Sequence, residues 1–230
     1  MYPLRSIAFR AELLFLPRSH PAEGLQRVHA RAFASPSGRY ANFTVVPGGA
    51  ELSNPPPTPG AASVATILGD RVRVQEHMTG LACEEFERRV VEVARIVLEE
   101  LAVPAFVAQQ FVVQSLVNPR FSGSAQEFMA RQVLNQPAEL MQSFEREPRL
   151  VGLRLTFPSE KPGQPFYNLR IESYQKDPRS LFIENTGVFQ TAIDSSNVEL
   201  IHSLFTQAYV FVETATLGFI SKVDARPRSS

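Results

Sequence analysis

The sequence has very little cysteine and no surplus of charge of either sign. Its only cysteine is Cys83, and one thiol cannot form an intramolecular disulfide framework or a cysteine-rich zinc site. The 23 Lys and Arg residues balance the 23 Asp and Glu residues, so the chain as a whole lacks the positive field that non-specific nucleic-acid binding requires. We therefore predict a protein of a reducing compartment, the cytoplasm, without a nucleic-acid partner. A local basic patch would still be compatible with this balance.

Motifs of nucleotide, hydrolase and metal chemistry are also missing. No glycine-rich loop ends in Gly-Lys-Ser or Gly-Lys-Thr, and no G-x-G-x-x-G follows a strand. Ser122-Gly123-Ser124 lacks the flanking glycines of a nucleophile elbow. The four histidines do not stand at metal-ligand spacings. The sequence predicts no cofactor, no metal site and no catalytic residue, and it leaves open whether the protein is an enzyme.

Apolar runs long enough for a membrane or a signal peptide are scarce. The N-terminal tract is interrupted by Arg5, Arg10 and Glu12 and is not followed by a small-residue cleavage site, so we expect a strand there. The longest apolar run, 203–220, contains Glu213, and an ionisable group at membrane depth is costly. This run predicts a buried helix of a soluble protein and no membrane partner.

The chain does contain enough apolar material for a large core. Its 230 residues are 44% hydrophobic, and they can form one large domain or two small ones. The first half has six periodic segments, namely strands at 7–15, 40–46, 64–77 and 106–117, and helices at 20–33 and 82–101. The prolines and glycines of 47–62 predict a loop without regular structure. The order β-α-β-β-α-β is that of a ferredoxin-like arrangement.

The second half begins with a helical connector. Ser124 and Glu127 form a capping-box pattern that opens a helix reaching about residue 135, and Pro137 can start a second helix at 137–144. Strands are predicted at 151–157, 166–174 and 181–189, followed by a long helix that a second capping box opens at Ser196.

We therefore expect an α+β fold in three parts. These are a ferredoxin-like half at 1–119, a helical connector at 120–148, and a half at 149–230 in which a three-stranded antiparallel sheet packs on the long C-terminal helix. The two halves can also form one compact domain.

The best candidate for a ligand contact is the segment that contains Arg120, Ser122 and Ser124. It joins a strand end to a helix N-terminus, where free amides and the helix dipole favour anions. Arg120 would add a bidentate donor. Helix capping alone also explains Ser124, so a structural role stands beside the binding role.

A second candidate is the pair Arg170 and Glu172, two residues apart on one predicted strand. Their side chains should project from the same sheet face and could form a polar cleft with Glu184 or Asn185 of the next strand. The solvent-facing side of an antiparallel sheet predicts the same pattern. We predict Arg120, Ser122, Ser124, Arg170 and Glu172 as ligand-binding residues.

Cys83 stands at the start of the predicted helix at 82–101. The helix dipole could lower the pKa of its thiol and make it a nucleophile. The alternative is a partly buried small residue without chemistry.

Two hypotheses for function remain. The first is a non-enzymatic interaction or structural protein that self-associates, as a homodimer or with a protein partner, because the C-terminal helix offers more apolar surface than one sheet face needs. The second is an enzyme or a small-anion sensor whose site is assembled from scattered residues between the two halves.

Overall fold

The strands of the protein form one antiparallel sheet. The computed structural model describes residues 2–135, 146 and 148–226. The strands in chain order are β1 (Arg5–Leu14), β2 (Asn42–Val46), β3 (Gly49–Asn54), β4 (Ala62–Leu68), β5 (Arg71–His77), β6 (Ala108–Val117), β7 (Gly152–Phe157), β8 (Phe166–Ser173) and β9 (Leu181–Phe189). In space these nine strands follow the order β2-β3-β4-β5-β1-β6-β9-β8-β7.

The helices follow the apolar periodicity of the sequence. They are α1 (Ala22–Ala34), α2 (Cys83–Glu100), α3 (Ala125–Glu127) with a π-helical continuation (Phe128–Val133), α4 (Leu200–Val210), a second π-helical segment (Phe211–Thr216) and α5 (Leu217–Asp224). The last three run on from one another and are called the C-terminal helix here. The predicted helix at 137–144 lies outside the described residues. In the described part of the chain, no helix combines the length and the hydropathy that a membrane span requires.

The two faces of the sheet differ in what covers them. On one face, here the helical face, Phe9 of β1 stacks on Phe86 of α2 at 5.2 Å between ring centroids and meets Phe205 of α4 edge-on at 5.7 Å. On the other face, here the open face, alternate residues such as Arg73 and Gln75 of β5 are half-exposed. Because side chains alternate along a strand, one side of the sheet forms the core and the other carries polar groups.

The expected division into a ferredoxin-like half and a separate three-stranded sheet is wrong. Strand β6 pairs with β9 over nine residues, from Gln109 opposite Phe189 to Val117 opposite Leu181. This pairing joins the strands of both halves into one sheet. All strand pairs of that sheet are antiparallel, so the parallel strands of a split βαβ unit do not occur in it.

The error arose mainly in the segment predicted to be a loop. Strand β3 lies within it, with Ala50 and Leu52 fully buried on the helical face. Pro47 and Gly48, the latter with a φ of 79°, turn the chain back from β2 into β3. The predicted strand at 64–77 is a hairpin of β4 and β5 that turns at Gly69 and Asp70. The first half therefore contributes six strands to the sheet.

Candidate functional site

The predicted anion-binding segment borders a small pocket at one end of the sheet. The pocket has a volume of about 260 Å³ and contains two arginines, Arg120 and Arg179. Its full lining is Asn118, Pro119, Arg120, Phe121, Ser122, Gly123, Ala125 and Arg179. Ser122 interacts with neighbouring residues as well as lining the pocket. The chemistry of an anion site is therefore present in part.

Protein carboxylates already occupy donors around this pocket. The capping box is confirmed, since Ser124 Oγ accepts from the Glu127 amide at 3.1 Å and Glu127 Oε2 accepts from the Ser124 amide at 2.8 Å. The bond from the Ser124 amide lowers the pKa of the Glu127 carboxyl. The Arg120 amide donates to Asp224 Oδ2 at 2.7 Å. An anion at the helix start would meet the negative charge of Glu127.

Arg170 and Glu172 lie on the open face, as their spacing predicts. Arg170 stands directly opposite Glu184 in the β8–β9 register, and its Nη2 is 3.3 Å from Glu184 Oε1. Its Nε is 3.9 Å from Glu172 Oε2, and its guanidinium covers the ring of Phe182 at 5.0 Å. Gln114 of β6 donates to Glu184 Oε2 at 2.6 Å. The arginine is thus paired with carboxylates of the protein itself.

The two predicted groups do not meet through any contact described in the ranges above. Glu172 is opposite Phe182, which is opposite Leu116, and Arg120 follows four residues after Leu116 in the chain. Both groups are therefore near the same end of the sheet. The hydrogen bonds and ion pairs described for each group nevertheless stay within that group, and the binding role of these residues stays a prediction.

Cys83 sits in an acidic setting at the start of α2. Burial raises the pKa of the thiol to about 12, and the carboxylates of Glu87, Glu84 and Glu213 add to this effect. Glu87 is only 3% exposed and accepts from Thr206 Oγ1 at 2.9 Å, while its other oxygen is 2.7 Å from His202 Nδ1. These contacts tie α2 to α4. They make a structural role for Cys83 the better interpretation.

A surface that the sequence did not single out lies at the β7 edge of the sheet. Leu155 and Phe157 of β7 are on the helical face but remain 37% and 39% exposed, because the helices leave this margin partly uncovered. Phe157 meets Phe211 edge-on at 5.2 Å, and Tyr167 of β8 stacks on Phe211 at 4.3 Å. We call Leu155, Phe157, Tyr167 and Phe211 the edge patch. Only the pairing of β7 with β8, together with the helical packing, could reveal it.

The π-helical segment of the C-terminal helix supplies one member of this patch. Phe211 is its first residue, and Thr216 Oγ1 donates to the Phe211 carbonyl at 3.4 Å within the same segment. Short π-helical insertions in α-helices occur frequently at functional positions.

The apolar stripe of the C-terminal helix is used inside the molecule. Its members in the core are Ile201, Leu204, Phe205, Ala208, Val212, Leu217, Ile220 and Val223. Leu200 and Val210 are its exposed large apolar residues, at 40% each. The surplus apolar surface expected on this helix is small, so an interaction surface has to be sought at the sheet margin.

Comparison with known proteins leaves the function to the geometry. No protein-family model matches the chain, and no curated protein matches it either. Among the described residues, no cluster of three or more His, Cys, Asp and Glu side chains could hold a metal ion.

Proposed function

We propose that this protein is a non-enzymatic interaction module that self-associates through the outer edge of β7. The observation that carries the proposal is the edge patch, where aromatic and aliphatic side chains remain partly exposed beside a strand that pairs on one side only among the described residues. An open strand edge with exposed apolar side chains is a template for pairing with another chain.

The direction of the strands favours a closed dimer. Nine antiparallel strands alternate in direction, so the two outer strands, β2 and β7, run the same way. Head-to-tail joining of β7 to β2 of another copy would create a parallel junction, which is slightly less stable per residue. A twofold axis that pairs β7 with β7 keeps the sheet antiparallel and both helical layers on one side.

The sequence of β7 selects one register for this pairing. With Leu155 on the twofold axis, Leu153 stands opposite the partner's Phe157, and Arg154 stands opposite the partner's Thr156. A register centred on Arg154 would place two arginines opposite each other, which is destabilising. The Leu155-centred register joins apolar side chains on the helical face and polar ones on the open face.

Light scattering after size exclusion tests the dimer. The wild-type chain should elute at micromolar concentration with twice the mass of one chain. Leu155→Arg should shift it to a monomer, since like charges would meet on the axis and the apolar contact would be lost. Leu200→Arg is the matched control, because Leu200 is similarly exposed but lies at the start of the C-terminal helix.

Two results would contradict the proposal. One is a wild-type chain that is monomeric at all accessible concentrations. The other is a dimer that Leu155→Arg leaves intact while Leu200→Arg dissociates it, which would place the interface on the C-terminal helix.

A second candidate function is the binding of a small anion in the pocket beside Arg120. The presence of Arg179 in the same lining favours it, because two guanidinium groups can hold one phosphate or carboxylate. Phosphate should then raise the melting temperature of the wild-type chain but not of Arg120→Ala. Equal shifts in both proteins, or none in either, would reject this site.

A further inference from the structure

The opposite margin of the sheet ends in a strand without the usual protection. Strand β2 reads Asn-Phe-Thr-Val-Val and contains no charge and no proline. Val45 is 73% exposed, and Asn42 and Thr44 are exposed as well. Charges, prolines and bulges normally keep edge strands from pairing with other chains. None of these features interrupts β2.

The backbone of β2 offers a specific kind of contact. The strand pairs with β3 from Asn42 to Val46, and no other described strand lies on its outer side. The outward N–H and C=O groups of an edge strand are matched by the backbone of another extended segment. The chemistry of this edge therefore favours an extended peptide as its occupant.

The helical face beside β2 would take apolar side chains. Phe43 and Val45 stand on this face, opposite the buried residues Leu52 and Ala50 of β3. Val45 also lines an open groove of about 900 Å³, whose walls include Pro17 and Leu25. Residues of an incoming strand that face this side would meet an apolar surface.

The open face beside β2 would take a basic side chain. Thr44 stands on this face opposite Glu51 of β3, and no described basic residue forms an ion pair with Glu51. A lysine placed opposite Thr44 on an incoming strand lies two strand spacings, about 10 Å, from Glu51. Two long side chains can bridge that distance across a threonine.

We propose that the β2 edge binds an extended peptide segment of another protein in which apolar and basic residues alternate. A second copy fits less well, because β2 has no basic residue to offer and pairing β2 with β2 would leave both Glu51 carboxylates without a cation. This site lies at the margin opposite the edge patch and does not depend on the dimer.

Fluorescence anisotropy with labelled synthetic peptides tests the site. The probe is a seven-residue peptide of alternating valine and lysine. The controls are a valine–glutamate peptide, a probe methylated on alternate backbone nitrogens, and a scrambled peptide of the same composition. The wild-type chain should bind the valine–lysine peptide at least about tenfold more tightly than each control.

Variants of the protein locate the binding. Val45→Lys should weaken binding of the valine–lysine peptide at least about tenfold, and Glu51→Gln should remove most of the preference for lysine over glutamate. Val45 is largely exposed, so the fold should persist, and circular dichroism checks it. Leu155→Arg should bind as wild type even as a monomer, which separates this site from the dimer edge.

Three outcomes would overturn the proposal. The first is the absence of saturable binding up to millimolar peptide. The second is equal binding of the methylated or scrambled peptide. The third is dissociation of the dimer by Val45→Lys, which would assign the β2 edge to a second copy of this chain.

Discussion

At the scale of single residues, the buried charges of this protein are held by specific partners. Glu76 of β5 is 2% exposed and is paired with Arg89 of α2. Arg89 also donates to Ser63 Oγ at 3.0 Å, and Ser63 in turn donates to Glu76 Oε1 at 2.7 Å. The guanidinium lies 5.7 Å from the ring of Tyr40, which is fully buried. This network connects the sheet to α2.

Removing the arginine from this network should be costly. Arg89→Met leaves the Glu76 carboxylate buried without its cation, so we expect the free energy of unfolding to fall by about 3–5 kcal/mol. Urea unfolding measures this loss. Arg88→Met on the exposed side of the same helix is the control and should cost less than about 1 kcal/mol. Equal effects of the two changes would mean that the buried pair is not a main contribution.

The thiol of Cys83 should be unreactive in the folded protein. With its pKa raised to about 12 by burial and nearby carboxylates, about one thiol in ten thousand is ionised near pH 8. A colorimetric disulfide reagent should therefore label Cys83 slowly in buffer and rapidly in urea. Rapid labelling in buffer would instead indicate a reactive thiol.

At the scale of elements, the β2–β3 hairpin depends on a close backbone approach. A Cβ at Gly49 would lie 1.8 Å from the carbonyl oxygen of Ile67 in β4, and a backbone oxygen cannot move aside as a flexible side chain can. This position therefore needs glycine for space.

Gly49→Ala should destabilise the protein by about 3 kcal/mol or more, at the upper end of the cost of overpacking. Gly218→Ala in α5 is the matched control, because no atom lies within 4 Å of its added Cβ. That change should stabilise the protein by up to about 1 kcal/mol through helix propensity. The two melting temperatures should thus move in opposite directions, and a Gly49→Ala protein as stable as wild type would contradict the backbone contact.

At the scale of the whole molecule, several surface carboxyl groups favour the folded state at neutral pH. Hydrogen bonds hold the pKa of each below its usual value, from the guanidinium of Arg71 or Arg31, the amide of Ser124, or the hydroxyl of Ser180 or Ser196. The groups are Asp70, Glu100, Glu127, Asp177 and Asp194.

Acid should therefore unfold the protein progressively. A carboxyl group with a lowered pKa in the folded state adds stability that is complete above its unfolded pKa of about 4 and is lost as the pH falls through its folded pKa. Urea midpoints should fall steadily below about pH 5. Asp177→Asn should make this decline shallower, and a midpoint that rises on acidification would contradict the assignment.

The sequence by itself determined most elements and the face to which each side chain belongs. The period of apolar residues placed α1, α2, the start of the C-terminal helix, and seven of the nine strands in whole or in part, including the same-face position of Arg170 and Glu172. These features are local, because a period of 2 or 3.6 is written within one segment. The capping box at Ser124 was readable for the same reason.

Only the tertiary structure decided how the strands pair and where the surface is left open. Strand β3 was hidden because its segment is rich in glycine and proline, and its stability comes from pairing with both neighbours. The pairing of β6 with β9 joins residues about 70 apart in the chain, and no local pattern encodes it. The two sheet margins at β7 and β2 follow from that order, since a strand becomes an edge only when all the others have found their partners.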